Sequence, residues 1–153
     1  MKISMDKTIR AMSIALDLAQ TSSRYNNCSH NDVIEDITNV NYSDHAFMHH
    51  SLRTTYIALE ISNQLDLNEN SKKQIYIWAL LHDIGATACL SKSHSANSFI
   101  KSHCETGTNI TKSFPYFCDL SNIILYHHEN FDGSGAMNLE KNNIPIESQV
   151  IRI

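Results

Sequence analysis

At 153 residues, 42% hydrophobic and 18% charged, with only four Gly and two Pro, the chain has room for one domain with a real core and little for a second. A net charge of -4 offers no basic footprint, which argues against nucleic-acid binding through a charged face. Cys28, Cys89, Cys104 and Cys118 form no CxxC pair and no stretch approaches about 18 apolar residues, so free thiols, no membrane span and a cytoplasmic protein are expected.

Met5, Ile9, Met12, Leu16 and Ala19 recur at steps of four and three, which predicts a helix over about residues 3–20. From there to about residue 44 the chain is polar and rich in Ser and Asn, a loop with a short helix at Val33–Ile37. Helices are then expected over about residues 45–128. Phe47, His50, Thr54, Ile57, Ile61 and Leu65 make the second periodic run. Ser71 with Gln74 reads as a capping box opening a third helix, which carries Ile75, Trp78 or Ala79, and His82, with Gly85 placed to stop it. Ile100, His103, Gly107 and Ile110 suggest a fourth, and Leu120, Ile123, Ile124 and His127 a fifth. Asn130–Asn143 is turn-rich, with Asp132-Gly133 and Gly135, and Ile144-Pro145-Ile146 restarts a helix. Period-two alternation is nowhere sustained, so the expected fold is an all-α helical bundle, one domain over residues 1–153.

His50, His82, His103 and His127 each continue the apolar stripe of their own helix, and residues on a stripe face the interior. A core histidine satisfied by a hydrogen bond explains any one of them. Four such rings in one small core are costly to bury unless each finds a partner, and a shared metal supplies one. His30, His45, His49 and His94 lie in polar loops or off the stripes and read as surface. His82-Asp83 and His127-His128 each close a helix. Consecutive helical residues diverge by about 100°, but at a loosened helix end the second member can swing in. Asp83 is the natural bridge between two ions, because a carboxylate has two oxygens. As a bare dipeptide His-Asp says little: nine His and nine Asp yield roughly half a copy by chance.

His50-Ser51-Leu52-Arg53, His82-Asp83-Ile84-Gly85, His103-Cys104-Glu105-Thr106-Gly107 and the run His127-His128-Glu129-Asn130-Phe131-Asp132-Gly133-Ser134-Gly135 follow one another in an order that resembles the HD-GYP branch of HD phosphohydrolases. That branch comprises bacterial cyclic di-GMP phosphodiesterases. The resemblance implies an all-α fold with a di-metal site. His50, His82 and Asp83 would hold one ion, and Asp83, His103, His127 and His128 the other. It implies His82 and Asp83 as the catalytic pair, and Arg53, Gly133 and Gly135 on the substrate side. The nitrogen and oxygen donors suit one or two divalent ions of Fe, Mn or Zn, which activate water and clamp a phosphodiester.

Four departures stand against the family pattern. Gly-Tyr-Pro becomes Gly135-Ala136-Met137, the lysine after His-Asp-Ile-Gly becomes Ala86, and the arginine after His-His-Glu becomes Asn130. The family's last aspartate ligand would fall beyond Ile153, so the His50–His82 ion is expected to lack one protein donor and the C-terminal end to be truncated. Three readings follow. One is a phosphodiesterase with weakened activity on cyclic di-GMP or a related nucleotide. The second is a non-catalytic signalling module that binds metal and a partner protein or nucleotide. A third, lesser reading is an HD phosphohydrolase for nucleoside phosphates, which needs no Gly-Tyr-Pro loop. None requires nucleic acid or a membrane.

Overall fold

A computed structural model describes residues 4–25, 49–89, 96–114 and 120–152. The regular elements are α1 (Met5–Tyr25), α2 (His50–Gln64), α3 (Glu69–Leu81), α4 (Ala86–Cys89), α5 (Ala96–Lys112), α6 (Ser121–Leu125), a 3₁₀ turn (Lys141–Asn143) and α7 (Ile146–Ile151). The expected all-α fold holds, with no strand among the described residues. No described helix is long and apolar enough to cross a membrane. The helix expected at Val33–Ile37, and His30, His45, His94, Cys28 and Cys118, lie outside the described residues.

The centre of the bundle is α3, because it is apolar around most of its last two turns. Ile75, Trp78, Ala79, Leu80 and Leu81 are all buried, and α1, α2 and α7 pack around them. Trp78 is the largest fully buried side chain, and its truncation to Ala would cost about 3–5 kcal/mol. The helices α4, α5 and α6 form a second row, α4 against α5 and α5 against α6. Ile123 and Ile124 of α6 join this row to the main core, and Ser148 Oγ of α7 donates to the Ile123 carbonyl at 2.9 Å.

Several element boundaries and faces differ from the sequence expectations. The third helix opens two residues early, because Asn68 rather than Ser71 is its cap. The Asn68 side chain accepts from the Asn70 and Ser71 amides at 3.0 Å each. That helix ends at Leu81, and His82–Gly85 form a turn. Gly85 is small for a different reason: a Cβ there would run into the His103 carbonyl oxygen and lie 2.5 Å from the Gly107 amide nitrogen. The turn after α3 therefore lies directly on the backbone of α5.

On α1 the buried face is Ile9, Ser13, Asp17 and Gln20, with Met12 and Leu16 half-buried and Met5 exposed. On α2 it is Ser51, Thr54, Thr55, Ala58 and Ser62, while Ile57 and Leu65 are exposed. Both inward faces are rotated about one residue from the apolar reading. Hydroxyls line α2 at little cost because they bond to its own backbone, as Thr55 Oγ1 does to the Ser51 carbonyl at 2.6 Å.

Candidate metal centre

Helix ends bring the histidines together. The last carbonyls of a helix have no intrahelical partner, and a histidine just past the end can turn its ring back onto one of them. His82 follows α3, and its Nδ1 lies 2.8 Å from the Ala79 carbonyl. His127 follows α6, with Nδ1 2.6 Å from the Ile124 carbonyl. His103, inside α5, does the same with the Phe99 carbonyl at 3.2 Å. A carbonyl only accepts, so each Nδ1 carries the proton and donates. In the neutral ring Nε2 is then a bare lone pair.

Each of these nitrogens faces another ring nitrogen. His50 Nε2 lies 3.1 Å from His82 Nε2, and His103 Nε2 lies 3.2 Å from His127 Nε2. Between His103 and His127, whose Nδ1 atoms are both committed, two lone pairs at that distance repel unless a cation stands between them. Asp83 is at the centre, with Oδ2 3.6 Å from His50 Nε2 and 3.4 Å from His82 Nε2, and Oδ1 3.7 Å from His103 Nε2. His128 closes the cluster edge-on to His103, with ring centroids 4.9 Å apart.

Two donor groups result, Asp83 with His103, His127 and His128, and Asp83 with His50 and His82; within each, the donor atoms lie within 4.8 Å of one another. Donors about 2.1 Å from a common ion stand about 3–4 Å apart, so both groups have the dimensions of a coordination sphere. The structure thus gathers the six side chains His50, His82, Asp83, His103, His127 and His128.

Electrostatics favour a cation. Burial pushes the His50, His103, His127 and His128 rings below their ordinary range, so they stay neutral at pH 7. Burial alone would raise the Asp83 carboxyl, but attraction to any charge on His82, His103, His50 and His127 outweighs it, so the carboxyl lies below its usual range. One carboxylate ringed by imidazole nitrogens is a set of donors suited to a cation. Cys104 is buried against it, Sγ 3.7 Å from His127 Nδ1, and burial keeps this thiol protonated.

Arg53 is exposed in the first turn of α2, one turn from His50. Gly133 and Gly135 sit in the loop after His128, where they serve its backbone. Gly133 adopts φ +82°, and a Cβ on Gly135 would lie 2.5 Å from Glu129 Oε1. His49, expected at the surface, is exposed and precedes α2 with φ 59°.

Sequence reasoning missed three features of this site. Glu129 is buried, and its carboxylate accepts from the Met137 amide at 2.7 Å and the Leu139 amide at 2.6 Å, pinning the loop to the histidine pair beside it. Asn130 is not left without a cation, because the Arg152 guanidinium donates to its Oδ1. The third is the buried polar face of α1, where Ser51 Oγ donates to Asp17 Oδ1 at 2.7 Å and Gln20 Nε2 to Asp83 Oδ2 at 3.3 Å. Ser13, Asp17 and Gln20 at steps of four and three were the available signal. A family model described as HD domain matches residues 32–153. No curated protein matches the chain.

Proposed function

The chain belongs to the HD-domain family, and on that premise we propose that it is a metal-dependent phosphohydrolase, a phosphodiesterase acting on cyclic di-GMP or a related nucleotide. The observation that carries this reading is the pair of donor groups sharing Asp83, with Nε2 atoms turned to common points. His50, His82 and Asp83 would hold one divalent ion, and Asp83, His103, His127 and His128 the other. Fe, Mn and Zn all suit nitrogen and carboxylate donors. Such ions supply Lewis-acid polarisation of a phosphoryl oxygen and a water that ionises near neutral pH.

The chain's own groups do the rest. Three backbone carbonyls fix the tautomer of His82, His103 and His127, so no ring must reorganise to present Nε2. Asp83 supplies the negative charge that would offset the ions. Arg53, exposed one turn from His50, would meet a substrate phosphate, and the Gly133–Gly135 loop, shaped by Glu129, would also contact the substrate.

The loop favours a second reading, a metal-binding signalling module that holds a nucleotide or partner protein without cleaving it. Ala136 and Met137 offer neither an aromatic ring nor a rigid proline to the substrate, and Ala86 is 4% exposed, where no cation is presented. Metal analysis of untagged protein, followed by turnover of bis(p-nitrophenyl) phosphate and of cyclic di-GMP, separates the two. Metal with turnover supports the enzyme, metal without turnover supports the module, and absence of metal sinks both.

A further inference from the structure

The first helix reaches the metal cluster, although α1 lies before the part of the chain that the HD family model matches. It does so with its polar face. Ile9, Met12 and Leu16 pack on the core, but the next turns bury Asp17 and Gln20, each 5% exposed. Burying a carboxylate and an amide is costly unless each is bonded. Asp17 takes the amide and the hydroxyl of Ser51, the residue after His50. Gln20 extends to Asp83, and because a carboxylate only accepts, its amide NH₂ is the donor. At the other end of α1, Tyr76 of α3 donates to Asp6 and accepts from Arg10, which fixes the helix along α3.

The oxygen that Gln20 holds is selective. It is Oδ2, the one facing His50 and His82, whereas Oδ1 faces His103. We propose that Gln20 is a positioning residue: its amide fixes the plane of the Asp83 carboxylate so that Oδ2 is presented to the His50–His82 position. The three-donor group, faced by the oxygen that Gln20 holds, then depends on α1 more directly than the four-donor group, faced by Oδ1. This rests on the metal-centre reading above.

The test uses the full chain and Mn(II), counting bound ions by equilibrium dialysis and electron paramagnetic resonance. Gln20→Met keeps the volume and removes the donor; Gln20→Asn keeps the amide but falls short by one methylene. In both, affinity at the His50–His82 position should fall about 10- to 100-fold, as loss of such an orienting bond commonly costs. Affinity at the four-donor position should stay within about twofold. If both affinities fall together with the melting temperature of the metal-free protein, Gln20 is merely structural and the proposal fails. Unchanged affinities in both variants overturn it as well, while leaving the metal centre standing. Wild-type protein that binds no Mn(II) overturns the metal centre and this inference together.

Discussion

His103 Nε2 and His127 Nε2 stand 3.2 Å apart while the opposite nitrogen of each ring donates to a backbone carbonyl. With both Nδ1 atoms committed, neither ring can donate to the other in its neutral form. The contact is relieved by a cation or by an extra proton, and burial opposes the proton.

That competition sets the acid sensitivity of the metal-free protein. His50, His103, His127 and His128 titrate below 6.5 when folded. Unfolded, they take up protons as the pH falls through 6.5, so the unfolded state binds more protons and stability falls on acidification. Each ring contributes up to about 1.4 kcal/mol per pH unit below that point. Asp83 adds to the loss only as the pH nears 3.8, where the unfolded carboxyl protonates. Chelator-treated protein should therefore melt at steadily lower temperature from pH 7 to pH 5. A flat profile would mean that the rings are solvated or already charged.

Asp83→Asn keeps the volume and removes the charge. At free metal about 100 times its dissociation constant, wild-type protein should gain about 2.7 kcal/mol and the variant almost nothing. Without metal the variant should melt somewhat below wild type, because the depressed Asp83 carboxyl contributes stability at neutral pH that Asn does not supply. Melts of both proteins with chelator and with added Mn(II) make the comparison. Equal metal-induced shifts would remove Asp83 from the site.

Glu129→Gln replaces one of two acceptor oxygens by an NH₂ that opposes a backbone N–H. Bonds to a charged acceptor are worth about 1.5–3 kcal/mol, so a loss of about 2 kcal/mol is expected. The metal count should not change, because Glu129 is in neither donor group. Proteolysis should become faster within residues 130–140. A stable variant with reduced metal content would place Glu129 in the coordination sphere instead.

Hydrolysis of cyclic di-GMP should be slow relative to that of bis(p-nitrophenyl) phosphate. An absent charged contact costs about 1.5–3 kcal/mol, tenfold and upward in rate or affinity. Ala86 carries no charge, and at Asn130 the charge at hand is that of Arg152, which donates to its Oδ1. Steady-state rates on the two substrates with Mn(II) or Fe(II) decide it. Faster turnover of cyclic di-GMP would show that Arg53 or Arg152 supplies the missing cation.

The core was legible wherever burial and hydrophobicity coincide, as at Ile75, Trp78 and Ile124. It was misread where polar residues go inside. On α2 the interior hydroxyl of Thr54 was read correctly, but those of Ser51, Thr55 and Ser62 were passed over for Ile57, which is exposed. Four of the six clustered side chains could be picked out because four imidazoles on apolar stripes together point inward, and Asp83 and His128 because each adjoins one at a helix end. Periodicity could have placed Gln20 on a buried polar face with Ser13 and Asp17. The bonds that Gln20 and Glu129 make depend on which backbone or carboxylate lies opposite, which one chain's periodicity does not carry. Gly85 was assigned a helix stop from local rules, whereas contact with α5, 22 residues further on at Gly107, is what requires it.

Asp83 serves both donor groups with one unit of negative charge, so the two positions cannot fill independently. An ion at either would draw on the charge its neighbour needs and repel it across the carboxylate. The second ion should bind more weakly than the first. Thermodynamic linkage makes this reciprocal: whatever factor occupancy of one position imposes on the other is returned unchanged. Loading would then be graded by free ion concentration, with singly occupied protein dominant over a wide range.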